Sequence, residues 1–170
     1  MEHLKRLIAD IHDFPKKGIM FKDISPLLGN AVAFRKVIDS LAEHWHSRID
    51  GILALDARGF IFGSALAFRL GVPLTLARKE GKLPGNTVRV PYGLEYGSDV
   101  LEVQTDSFLE GARILVVDDL LATGGTAEAA CALVHKVGAK VAGCAFVIEL
   151  SELDGRKKLG DHEVHSLITY

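Results

Sequence analysis

The sequence predicts an α/β protein with a mostly parallel, twisted sheet flanked by helices. Three observations carry that expectation. Aliphatic runs at residues 51–55, 73–77 and 114–117 are too short for helices and suit strands buried on both faces. Helix-forming segments follow two of them, at 60–70 and 127–137, so strand, helix and strand make a βαβ unit with a right-handed crossover. Each run also ends in a charged or glycine-rich turn, and in an open parallel sheet ligands bind beyond the carboxyl ends of strands.

The elements follow in order from their spacing. Leu4, Leu7, Ile8 and Ile11 recur at helical intervals, so residues 2–12 read as a short amphipathic helix. Phe14-Pro15-Lys16-Lys17-Gly18 breaks it, and residues 19–28 form an irregular apolar arm. Phe34, Val37, Ile38, Leu41 and Trp45 mark one face of a helix over 31–47. The helix at 60–70 stops at Gly71, and the strand at 73–77 ends in Arg78-Lys79-Glu80-Gly81-Lys82. Residues 81–97 hold four glycines and two prolines without sustained periodicity and read as a long lid loop. Residues 101–104 alternate as a strand, and 140–148 and 164–169 are further strands. Between those last two, 150–159 is a polar turn region with a short helix. At 170 residues the chain is expected to be one domain with a sizeable core.

Composition narrows the function classes. Hydrophobic residues at 48% and charged residues at 25% suit a soluble globular protein. A net charge of −2 leaves no electrostatic footprint for nucleic acid. The longest uncharged apolar stretch, 59–68, is about half the length of a membrane span. The first residues lack the apolar region of a signal peptide, so the expected location is cytoplasmic, away from any membrane. Cys131 and Cys144 form no Cys-x-x-Cys pair and read as small buried apolar groups in a reducing compartment. His44 and His46 on their helix, and His162 and His165 in the last strand, point apart and are not expected to share a metal.

The chemistry concentrates at 113–126. Asp118 and Asp119 end the aliphatic run, and two threonines and two glycines lead into the next helix. A buried strand, a small-residue turn and a helix start make a phosphate cradle, because free backbone N–H groups and the helix dipole favour an anion. The turn lacks the Gly-Lys-Ser/Thr of a Walker loop and the Gly-x-Gly-x-x-Gly of a dinucleotide site. What distinguishes it is the acidic pair in front, which can accept hydrogen bonds from the vicinal hydroxyls of a sugar.

The run Val-Val-Asp-Asp-Leu-Leu-Ala-Thr-Gly-Gly-Thr at 116–126 resembles the phosphoribosyl-pyrophosphate motif of type I phosphoribosyltransferases. Phe14-Pro15, Gly18 and Phe21-Lys22-Asp23-Ile24 resemble the N-terminal hood of the adenine phosphoribosyltransferases, and Leu94-Glu95-Tyr96-Gly97 matches that family's Leu-Glu-Tyr-Gly. The resemblance spans nearly the whole chain in family order. It implies the type I phosphoribosyltransferase fold in a single domain, with an arm and hood at 1–30 and a flexible catalytic lid at 81–97. It implies that Asp118 and Asp119 hold the ribose hydroxyls and that Ala122, Thr123, Gly124, Gly125 and Thr126 bind the 5′-phosphate. Phe21 would stack on the purine, with Met20 and Lys22 supplying main-chain contacts. Asp56, Ala57, Arg58 and Gly59 would hold the pyrophosphate, often through a non-proline cis peptide in this family. Arg78, Lys79 and Lys82 would add positive charge there. Glu95 would face N7 of the base, with Tyr96 among the binding residues. Glu95, Asp118, Asp119 and Arg58 form the implied catalytic set. Two departures stand out: Ala57 replaces a serine common in relatives, and Val90-Pro91 precedes Tyr92 where relatives usually carry a polar residue.

The implied reaction is adenine plus phosphoribosyl pyrophosphate giving AMP and pyrophosphate, a purine salvage step. Mg²⁺ is the implied cofactor, held through substrate and water near Asp118 with no direct set of protein ligands. A homodimer is also implied. Hypoxanthine, guanine and xanthine stay open as alternative bases, since the hood contacts that separate them from adenine are main-chain groups. A regulator that kept this fold to sense phosphoribosyl pyrophosphate would need a basic face or an added DNA-binding module, which a net charge of −2 and a 170-residue length argue against.

Overall fold

The structure, a computed structural model, describes residues 2–94 and 97–170. The chain begins with α1 (Glu2–Lys5), β1 (Ala9–His12), β2 (Met20–Asp23), α2 (Ser25–Leu28) and α3 (Ala31–Trp45). It continues with β3 (Gly51–Leu55), α4 (Gly59–Leu70), β4 (Leu74–Lys79), β5 (Thr87–Leu94) and β6 (Gly97–Gln104). It closes with β7 (Arg113–Leu121), α5 (Gly125–Lys136), β8 (Lys140–Glu149), 3-10 turns at Ser151–Leu153 and Gly155–Leu159, and β9 (Val164–Thr169). β1 and β2 form a small antiparallel pair, the hood. The main sheet runs in the order β5-β6-β4-β3-β7-β8-β9. Its strands from β4 to β9 are parallel, and the hairpin β5–β6 joins antiparallel at the β4 edge.

The central strands feed a core on each face. In β3, Ile52 and Ala54 enter the cluster that holds α3 and α4, while Leu53 and Leu55 enter the cluster that holds α5. In β7, Leu115 and Val117 divide from Ile114 and Val116 in the same way. A period of two with both faces apolar is what a strand needs between helical layers. Each such Ile, Leu or Val side chain contributes roughly 1.5–3 kcal/mol on burial. α3 starts at Asn30, whose side chain accepts the Ala33 N–H at 3.0 Å, and its face of Val37, Ile38, Leu41 and Trp45 is buried. Gly63 sets the distance between α4 and the sheet: a Cβ there would stand 2.5 Å from that of Ala54.

The structure corrects several expected elements. Residues 2–12 are not one helix, since α1 stops at Lys5 and 9–12 pair with β2. Leu4 and Ile8 are buried but Ile11 is exposed, and one turn of helix is too weak to hold against strand pairing. Residues 81–97 are not a structureless loop, because 87–94 form β5 in register with β6. Val88, Val90 and Tyr92 pack on the α5-side core, an alternation that Pro91 masks. Proline is tolerated there because β5 is the sheet's edge. β4 and β7 outrun their aliphatic segments, so Arg78, Lys79, Asp118 and Asp119 are strand residues rather than turn residues. His162 lies before the last strand, not in it.

Candidate functional site

β7 delivers the acidic pair and the cradle together. Its backbone pairs with β3 and β8, and the pairing with β8 continues through Asp118 to Leu121. The chain then turns through Ala122-Thr123-Gly124 into α5, whose first-turn N–H groups lack intrahelical acceptors. Gly124 has φ +81°, and a Cβ there would overlap the Gly155 carbonyl. A Cβ on Gly155 would overlap the Ala122 carbonyl in turn, so the cradle and the 3-10 segment behind it interlock backbone to backbone. Arg58, the acidic pair, Leu120 and residues 121–127 line a cleft of about 220 Å³.

The two carboxylates differ. Asp118 Oδ1 accepts the Asp119 N–H at 2.8 Å. Burial, and then the charge of Asp119, push the Asp118 carboxyl well above the usual range. Asp119 is 4% exposed, and burial raises its carboxyl too, against the pull of Arg58. Arg58 Nη2 stands 2.9 Å from Asp119 Oδ2 as an ion pair, yet among the described residues no donor makes a hydrogen bond to that oxygen. A buried carboxylate oxygen held by charge alone still has room to accept an aligned hydrogen bond.

The turn after β3 faces this wall. The Asp56–Ala57 peptide is cis, matching the family-derived expectation for this turn. Gly59 packs α4 against β7, since a Cβ there would lie 2.8 Å from the Val117 carbonyl and 2.9 Å from Asp118 Oδ1. The hood is fastened to the same turn. Arg58 Nη1 donates to the Lys22 carbonyl at 3.1 Å, and its guanidinium lies 4.8 Å from the centroid of the Phe21 ring. Phe14 meets Phe21 edge-on at 5.0 Å. Met20 is 40% exposed. The Lys22 ammonium turns away, pairing with Asp10 at 2.6 Å above the Tyr170 ring, so only its main chain is offered.

The basic residues arrive already paired. Arg78 Nε donates to Asp56 Oδ2 at 3.0 Å, and Lys79 Nζ meets Asp99 Oδ2 at 2.8 Å. Lys82 is exposed, with its carbonyl near Arg78 Nη1 at 3.3 Å. Three groups here escaped sequence reasoning. Glu102, fully buried, accepts the N–H groups of Lys82 and Leu83 at 3.1 Å each and the Thr87 hydroxyl at 3.1 Å. Burial raises its carboxyl, but those donors and Arg89 outweigh burial and hold it below the ordinary value. Tyr92 donates to Asp99 at 3.2 Å, bracing β5 against β6. Gly155 backs the turn from a segment that reads as plain surface. The alternation of 101–104 was the one available signal for Glu102, and it did not mark the residue as buried. Glu95 and Tyr96 lie outside the described residues, while the other anticipated residues gather around this cleft or its hood and basic margin.

This geometry has known counterparts. Residues 28–168 match the family model described as the phosphoribosyl transferase domain. The chain belongs to that family. It is 50% identical to the adenine phosphoribosyltransferase of Anaeromyxobacter dehalogenans, over 100% of this chain and 99% of that one. It is 52% identical to that of Chloroflexus aurantiacus, over 99% and 98%. Among solved structures, the adenine phosphoribosyltransferase of Thermoanaerobacter pseudethanolicus superposes with a TM-score of 0.97 at 51% identity, covering 99% of each chain. The Saccharomyces cerevisiae enzyme, solved with an imino-altritol bisphosphate and adenine, reaches 0.93 at 40% identity, over 98% and 97%.

Proposed function

We propose that the chain transfers the 5-phosphoribosyl group of phosphoribosyl pyrophosphate to adenine, giving AMP and pyrophosphate in purine salvage. The observation that carries the site reading is Asp119, a buried carboxylate whose Oδ2 is ion-paired with Arg58 but aligned with no hydrogen-bond donor among the described residues, beside an anion seat. A ribose hydroxyl donates an aligned hydrogen bond to Asp119, and Asp118 takes its neighbour. Residues 122–126 receive the 5′-phosphate on backbone N–H groups and threonine hydroxyls, which fixes the anomeric carbon beneath the hood.

The leaving group meets Arg58, Arg78, Lys79 and Lys82. Three of these are held by Asp119, Asp56 and Asp99, and exchange those partners for phosphate oxygens. The anomeric C–O bond breaks, positive charge grows on the ribose, and the carboxylates of β7 lie against it. N9 of adenine forms the new bond while Glu95 manages the proton at N7. Phe21 offers its ring to the purine, and Met20 and Lys22 offer main-chain groups. The donor set fits Mg²⁺ carried in by the substrate: two adjacent carboxylates, Asp118 and Asp119, line the cleft beside the phosphate seat. When bound, the ion neutralises charge on the pyrophosphate.

We read residues 81–97 as the lid and the whole chain as one domain. No helix among the described residues is long and apolar enough to cross a membrane, and two unbridged cysteines suit a reducing, cytoplasmic setting. The apolar side of α4, where Phe68 is 92% exposed and Ile61 stands two turns away on the same side, supports the reading as a homodimer. Product analysis with adenine, hypoxanthine and guanine side by side tests the function. AMP should dominate, and IMP or GMP as the main product would overturn the choice of base.

A further inference from the structure

The two cysteines take no part in the proposed reaction. Cys131 lies on the second turn of α5, the helix that begins with the cradle, and Cys144 lies on β8 beside the acidic strand. Their Sγ atoms stand 3.6 Å apart, in contact and hydrogen-bonded to each other. Both are buried, at 5% and 0% exposure, so what reaches them is a small neutral molecule or a partner made available by local opening. The hydrogen bond from Cys144 favours the Cys131 thiolate, the form that reacts with oxidants, while burial opposes it. A disulfide has its sulfurs about 2.05 Å apart, so closing this pair asks for an approach of roughly 1.5 Å.

We propose that Cys131 and Cys144 form an oxidation site, closed by peroxide to a disulfide that ties the cradle helix to β8 and weakens the phosphate seat. The Cys131 thiolate attacks one peroxide oxygen, breaks the O–O bond and becomes a sulfenic acid, releasing hydroxide, which takes up the proton lost by Cys131. The Cys144 sulfur then attacks the sulfenic sulfur and expels water. Two thiols lose two hydrogens, and one peroxide becomes two waters. α5 moves as a rod, so a displacement at Cys131 reaches Gly125 and Thr126 at its start. The crosslink stands independently of the functional reading; its effect on the seat rests on that reading.

The test treats the purified full-length protein with hydrogen peroxide and measures intact mass, non-reducing peptide maps and ribose 5-phosphate binding by calorimetry. The expected result is a loss of two hydrogens, a single 131–144 cross-linked peptide pair, and about tenfold weaker binding that dithiothreitol restores. Cys131→Ala and, independently, Cys144→Ala should abolish both changes, so one folded variant suffices. Sulfinic or unmodified thiols in place of the crosslink overturn the site. A crosslink with unaltered ribose 5-phosphate binding overturns the clamp. If the reduced protein fails to bind ribose 5-phosphate at all, the seat reading and the clamp fall together, while the peptide map still decides the crosslink.

Discussion

β7 is paired on both sides, with β3 as far as Val117 and with β8 on to Leu121, whereas β5 has only β6 and leaves its outer edge unpaired within the sheet. The cradle is therefore positioned by backbone pairing and apolar packing, and no single side chain holds it up. The hairpin packs Leu101, Val103, Val88 and Val90 on the α5-side core but adds polar anchors of its own: Glu102 at its base, and Asp99 and Tyr92 nearer the cleft. The difference teaches where damage should fall. Polar changes in the cradle should remove chemistry and spare the fold, while polar changes in the hairpin should loosen structure first.

The largest effect should come from Asp119→Asn. It keeps the shape, removes the charge that faces the developing cation, and should lower kcat by about 10²–10³-fold with an unaltered circular dichroism spectrum. Near-normal turnover would break the assignment of the acidic pair. Gly155→Ala should come next. Its new methyl overlaps the Ala122 carbonyl, so the cradle must shift, raising KM for phosphoribosyl pyrophosphate at least about tenfold and costing about 1–3 kcal/mol. Equal losses toward adenine and phosphoribosyl pyrophosphate would show that the cradle is less separate from the base site than its packing implies.

Glu102→Gln should give the opposite pattern. It weakens charge-assisted hydrogen bonds at the hairpin base, costing about 1–2 kcal/mol, with hydrogen exchange rising over 82–89 and turnover largely retained. The smallest effect concerns pH, and it has opposite signs in the two regions. The Glu102 carboxyl is held low, so its stabilisation is present above the ordinary carboxylate value and fades as pH falls through its folded value. Asp118 is held high, so the unfolded chain releases this proton first, and the folded protein loses stability as pH rises from the ordinary value to the folded one. Asp118→Asn should therefore raise the Tm of the ligand-free protein by a few degrees at neutral pH and change it little near pH 4, roughly the ordinary carboxylate value. Thermal scans across pH decide this, and an unchanged or lowered Tm at neutral pH would mean the pair is not strained in the free protein.

The parallel core was legible because strands buried on both faces must be continuously aliphatic, as 51–55 and 114–117 are. The cradle was legible because its glycines and threonines sit next to each other in the chain. The hairpin was hidden by Pro91, which interrupts an alternation that only an edge strand tolerates. Glu102 and Gly155 escaped because their partners lie elsewhere: Leu83 is 19 residues from Glu102, and nothing local marks Gly155 as the backing of Ala122. The hood strand at 9–12 was lost to a helical spacing that tertiary pairing overrode.

The strand order also bears on how the chain is made. β3 pairs with β4 soon after it is synthesised, but its other edge waits for β7, about 60 residues later in sequence. Until residue 113 leaves the ribosome, Gly51–Leu55 presents an apolar, unpaired strand edge. A nascent chain stalled in that interval would be prone to sticking to its neighbours, so the interval between β3 and β7 is when chaperone protection would count most.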